Sequence, residues 1–141
     1  MTTFPVVAQL APAVDAIRLS LHVLAAAVWV GGQITVAGLL STVRQLGTDA
    51  PRRIARAFSR LSWPAYFVLL ATGVWNVAAV HEGQPRAWQV VLGVKIAVVV
   101  VAGVSAWLHG RARSRSGLAA WGAVLSLSSL AALVLGVFLA G

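Results

Sequence analysis

The sequence predicts an all-α integral membrane protein: a four-transmembrane-helix bundle forming one domain over residues 1–141, with the N-terminus and C-terminus outside. Three observations carry this. Apolar residues make up 60% of the 141-residue chain and charged residues only 10%, against about 25% charge in an average soluble chain. The mean hydropathy is +0.88. Four apolar segments stand between short polar loops, each near the roughly 20 residues that cross about 30 Å of hydrocarbon as a helix. Period-2 alternation is missing, which argues against a β-barrel. Helices satisfy their own backbone hydrogen bonds in lipid.

The spans run from about Ile17 to Leu40, Leu61 to Val80, Ala87 to Leu108 and Leu118 to Ala140. The loop after the first, STVRQLGTDAPRRIARAFSR, holds Arg44, Arg52, Arg53, Arg56 and Arg60. The loop after the third, HGRARSRSG, holds Arg111, Arg113 and Arg115. The middle loop, HEGQPR, has only Arg86, beside Glu82. The positive-inside rule then puts the first and third loops in the cytoplasm. Trp63, Trp107 and Trp121 fall near the cytoplasmic ends and Trp75 and Trp88 nearer the outer face, as amphipathic rings prefer. Trp29 lies mid-span. The N-terminus has no basic region before its first apolar run and carries Asp15 ahead of Arg18, so it does not read as a signal peptide.

Within the first loop, Asp49 suits a helix cap and Pro51 a first turn. Ile54, Phe58 and Leu61 then share one face. This piece either rests on the inner leaflet or extends the second span. Its arginines, Arg52, Arg53, Arg56 and Arg60, are matched to anionic lipids.

Lys95 stands out in VVLGVKIAVVVVAGVSAW, about eight residues and roughly 12 Å inside the third span. A central lysine costs about 2.5–3.5 kcal/mol on insertion scales. No Asp or Glu lies inside any span, so backbone carbonyls, Asn76, water or an anionic ligand are left to satisfy it. In the first span His22, Ala26, Trp29 and Gln33 follow one helical stripe. In the second, Thr72 and Asn76 form an i,i+4 pair, with His81 at the outer end. If these faces converge, they make a polar pocket open to the outside, holding His22, Asn76, Lys95 and His81, with Trp29 as its floor or wall. Glycines on every span permit close helix approach. The fourth span has no ionisable residue and reads as scaffold or subunit contact.

The same residues carry a resemblance. LHVLAAAVWVGG, from Leu21 to Gly32, resembles the first-span signature of the CopD copper-resistance membrane domain family. RAFSRLSWPAYFVLLATGVWN resembles that family's next segment, and LGVKIAVVVVAGVSAW its lysine-bearing helix. The resemblance implies a bacterial inner-membrane protein of copper homeostasis. The chain also resembles, more distantly, the heme-binding protoporphyrinogen-oxidase-like four-helix membrane proteins. That likeness implies roles for an early first-span histidine and a third-span lysine, which match His22 and Lys95. Where that group often has a tyrosine–histidine pair after the lysine, this chain has Ala106, Trp107 and a later His109.

Three functions follow as expectations. One is a copper site at the outer face made by His22 with His81 or the N-terminal amine. The second is a b-type heme site, for electron transfer or porphyrin oxidoreduction. There His22 is the axial ligand, Trp29 lies beside the ring and Lys95 meets a propionate. The third is an accessory subunit within a homo-oligomer or larger membrane complex. Copper and heme b both stay open on the sequence. The chain has no cysteine and one methionine, which removes thiolate ligands and weakens a thioether copper site. Its net charge of +8 is gathered in loops, so nucleic acid is not an expected partner. No glycine-rich nucleotide loop and no acid to orient a serine–histidine pair are present.

Overall fold

The computed structural model describes residues 12–140. Four helices, each long and apolar enough to cross a membrane, account for nearly all of them: α1 (Ala13–Gln45), α2 (Ala50–Val80), α3 (Arg86–Arg111) and α4 (Arg115–Ala140). No strand occurs among the described residues. Turns of a few residues link them, two of which contain glycines in the left-handed region, Gly47 at φ 134° and Gly83 at φ 74°. The protein is therefore a multi-pass membrane protein. Its arginine-rich loops lie at one end of the bundle and the HEGQPR loop at the other.

The helices pair as two antiparallel hairpins. α1 packs along α2, and α3 packs along α4. The register of the second pair is fixed at both ends. His109 Nδ1 lies 2.9 Å from the Leu118 carbonyl oxygen, and Trp88 Nε1 donates to the Leu139 carbonyl oxygen at 3.2 Å. The two hairpins touch midway along α3. There the Tyr66 hydroxyl donates to the Val99 carbonyl oxygen at 2.8 Å. Gly103 of α3 has no side chain where that phenol sits, and a Cβ there would meet it. Most large apolar side chains point outward, among them Val74, Leu127, Val137 and Phe138. In lipid such faces need no protein partner, because acyl chains are as apolar as leucine.

Of the two forms expected for the arginine-bearing piece after the first span, the structure shows the extension of the second span. The piece continues without a break into α2, passing through Pro64. At 1.5 Å per residue the 31 residues of α2 extend about 46 Å, so its first turns project past the hydrocarbon. Asp49 stands at the cap position but makes no side-chain cap bond. Its backbone, at φ −93° and ψ −11°, is helical rather than extended, so its carboxylate is not aimed back at the first amides.

A further difference is inside α1, which is α-helical from Ala13–Ala26 and from Gly32–Gln45 and forms a π turn over Ala27–Gly31. A π turn adds a residue to one turn and re-aims the side chains beyond it. His22 before the turn meets α2, while Trp29 within it and Gln33 after it meet α4.

Candidate functional site

The end of the bundle remote from the arginine loops collects polar side chains from three helices. On α1, Arg18 and His22 are one turn apart. On α2, Asn76 and Thr72 face them in antiparallel register. Arg18 is the buried member, only 5% exposed. Its Nη2 donates to Asp15 Oδ1 at 2.8 Å, and its Nη1 donates to the Asn76 carbonyl oxygen at 3.4 Å. Among the described residues its Nε–H has no partner, and neither does Asn76 Oδ1.

His22 Nδ1 lies 2.7 Å from Thr72 Oγ1. The Thr72 hydroxyl itself lies 2.6 Å from the Val68 carbonyl oxygen. A hydroxyl has one proton to donate, and a carbonyl oxygen can only accept. Thr72 therefore donates to Val68 and accepts from His22. That assigns the His22 proton to Nδ1 and leaves Nε2 with its lone pair. A histidine whose other ring nitrogen donates to a fixed acceptor is prepared for ligation. Beside the ring, Gly73 leaves an open flank: a Cβ there would stand 3.7 Å from His22 Cε1.

Lys95 comes from α3. Its ammonium reaches over α4 at Gly136, where a Cβ would lie 3.0 Å from Nζ. Gly136 is one turn from Leu139, the carbonyl that holds Trp88. The lysine thus climbs toward the end of the bundle, as a long cationic side chain does in lipid. Among the described residues it has no carboxylate partner, because the one ion pair is Arg18–Asp15.

The expected site residues separate into two levels. His22, Asn76 and Lys95 belong to this polar level. Trp29 lies about 10 Å deeper, seven residues further along α1. There its indole N–H donates to Ser129 Oγ at 3.0 Å, and Gln33 Nε2 donates to the same oxygen at 3.3 Å. The Trp29 ring packs against Tyr66 at 4.8 Å and Trp63 at 6.2 Å between centroids. Ser129 gives the fourth span a polar contact that its composition did not announce. His81 is exposed, and its Nδ1 lies 3.1 Å and 3.3 Å from the carbonyl oxygens of Val77 and Ala78 in its own last turn. It stands about 13 Å along α2 from Thr72. The N-terminal amine lies outside the described residues.

Arg18 is the residue that the sequence reading missed as part of the site. Its signal was present: Asp15, Arg18 and His22 follow at i, i+3 and i+7, on one face of a helix. An arginine ahead of an apolar run reads as a flank, and its bond to the Asn76 carbonyl oxygen of α2 depends on the fold.

Among the described residues, no three His, Cys, Asp or Glu gather in a way that could hold a metal ion. The site is one imidazole with a free nitrogen, two cations and one carboxylate. Compared with known protein families, with curated proteins and with solved structures, the chain matches none.

Proposed function

We propose that the polar end of the bundle binds heme b, with His22 Nε2 as the axial ligand and Lys95 paired to a propionate. We further propose that the chain is a CopD-like protein of a bacterial inner membrane, with the arginine loops cytoplasmic and this polar end on the outer side. The observation that carries the heme reading is the Thr72–His22 hydrogen bond, which leaves one imidazole nitrogen available and oriented. Charge supports the same choice. Arg18 and Lys95 against Asp15 leave this end of the bundle one positive charge in excess, and ferric heme b with both propionates ionised carries about one negative charge. A copper ion would add positive charge beside two cations, with a single imidazole to hold it. Heme bound here would supply one-electron chemistry whose potential the axial ligand and burial set. The protein's part is to place the imidazole, neutralise the ligand's anionic edge and keep water from the interior.

At the other end, Arg52, Arg53, Arg56 and Arg60 are exposed on the first turns of α2. There they meet the anionic headgroups of the inner leaflet.

The test is an absorption spectrum of the gently purified chain, oxidised and reduced with dithionite, with metal analysis on the same sample. The expected result is a Soret band with sharp reduced α and β bands. His22→Ala should abolish or shift them, and Lys95→Ala should lower occupancy without lowering helix content. Near-stoichiometric copper with no Soret band would overturn the heme assignment in favour of an outer-face copper site.

A further inference from the structure

Toward the arginine-rich end, α2 and α3 leave a groove between them. Trp63 and Tyr66 of α2 and Val100, Gly103, Val104 and Trp107 of α3 line about 360 Å³ that is open along one side and almost wholly apolar. Its walls are fixed by contacts within the protein. The Tyr66 hydroxyl donates to the Val99 carbonyl oxygen at 2.8 Å. Trp63 stands edge-on to Tyr66, with 5.8 Å between ring centroids. Val100, Val104 and Trp107 are each about half exposed, so the groove is reachable from the surrounding hydrocarbon. From Val100 to Trp107 it follows α3 for about 10 Å. One turn further on, Arg111 stands at the end of that line. Its guanidinium carbon lies 3.9 Å from the centroid of the Trp107 ring. A guanidinium stacked by its face keeps its edge N–H groups for other acceptors. Arg111 is exposed and is the last residue of α3. Among the described residues it has no carboxylate partner, since the one ion pair is Arg18–Asp15. On α2, Arg60 is also exposed and lies one turn before Trp63 on the same helix face.

We infer that this groove binds one anionic phospholipid, with an acyl chain between Trp63 and Trp107 and the headgroup phosphate on Arg111. The order of groups along α3 favours that occupant. The cation stands at the helix end, and the apolar trough runs inward from it, as phosphate and acyl chain follow each other in a lipid. A planar guanidinium also matches two phosphate oxygens at once. An acyl chain gains little by leaving one apolar environment for another, so retention comes from packing against fixed rings and from the charge at the mouth. A second copy of this chain suits the groove less well. Paired symmetrically in one membrane orientation, the two copies would bring their Arg111 and Arg60 side chains to one level, like charge toward like charge. The site uses neither His22 nor heme. It differs from the general attraction of the α2 arginines for headgroups in holding one molecule at one place.

The test is native mass spectrometry of the full chain released from nanodiscs that hold phosphatidylglycerol and phosphatidylcholine in equal amounts. The wild type should keep one phosphatidylglycerol in preference to phosphatidylcholine. Arg111→Gln should lower the retained phosphatidylglycerol by about fivefold, the worth of one basic residue beside anionic headgroups. Val104→Phe fills the groove from its open side and should displace the lipid with no change of charge. Arg113→Gln removes the same charge beyond the end of α3 and should retain lipid as the wild type does. Equal losses in Arg111→Gln and Arg113→Gln would reduce the effect to general basic attraction and overturn the site. Undiminished retention in Arg111→Gln and Val104→Phe, or no lipid on the wild type, would overturn it too. Equal retention of the two lipids by the wild type would overturn the phosphate contact on Arg111. A wild-type mass of two chains without lipid, returned to one chain by Val104→Phe, would give the groove to a second copy.

Discussion

Replacing Thr72 by valine removes one oxygen from the protein and nearly no volume. In the wild type that oxygen lies 2.7 Å from His22 Nδ1 and 2.6 Å from the Val68 carbonyl oxygen. In Thr72→Val the Nδ1–H faces a methyl group. Left unpaired in the interior it costs about 1–3 kcal/mol. The ring escapes that cost by moving its proton to Nε2, which removes the lone pair proposed to bind iron. Ligation must then return the proton to an unpaired Nδ1, so the tautomer route weakens binding by up to that cost, whereas a ring that keeps its proton on Nδ1 throughout loses stability instead. At about 1.4 kcal/mol per factor of ten, heme affinity should fall roughly tenfold to a hundredfold, the range found when a second partner of a ligating histidine is lost. Thr72→Ser retains the hydroxyl and should stay close to wild type. Two readouts apply. Nitrogen-15 spectra of the ligand-free chain, with His22 assigned by substitution, should show the proton on Nδ1 in the wild type and a shift toward Nε2 in Thr72→Val. Heme titration should show the matching loss. A wild-type ring protonated on Nε2, or equal heme affinity in Thr72→Val, would refute the reasoning.

Two further outcomes are expected. Gly103→Ala drives a methyl group into the Tyr66 phenol and should break its 2.8 Å bond to Val99 or part α2 from α3. A loss of about 1–3 kcal/mol should appear as a lower midpoint in detergent unfolding, and an unchanged midpoint would show that the hairpins tolerate the added volume. The chain has no cysteine, so single cysteines report its topology cleanly. With the arginine loops inside, an impermeant maleimide should label Glu82→Cys in intact cells and Arg113→Cys only after permeabilisation. The reverse pattern would put the polar end on the cytoplasmic side.

The helices were legible because their signal is local. Length and apolarity decide a span, and a run such as VVLGVKIAVVVV reads the same in any context. The bounds came out longer, because the polar residues flanking each apolar run still make helical hydrogen bonds beyond the hydrocarbon. Half of the polar level was legible as well. Lys95 is conspicuous in an apolar segment, and Thr72 with Asn76 repeat at helical spacing on a face that must point somewhere other than lipid. Trp29 lies a level deeper because seven residues of helix separate it from His22, and the π turn over Ala27–Gly31 helps direct it to α4. Nothing in AVWVG announces that turn. His81 stands at a helix end, where its Nδ1 lies near the Val77 and Ala78 carbonyls of its own turn.

The sequence by itself determined that the chain is helical, that four segments are apolar enough to span a membrane and that one of them carries a charge needing a counterpart. Those are properties of single segments and of transfer from water to hydrocarbon. The tertiary structure decided which polar groups meet. It set His22 against Thr72, and so the nitrogen that keeps its lone pair. It bonded Arg18 to the Asn76 carbonyl of α2, with a donor unused among the described residues, and laid Lys95 over a glycine of its own hairpin. It also sent Trp29 to Ser129, 100 residues away in the chain. Each of these depends on helix register and rotation, which the packing of all four helices settles together and no single segment encodes.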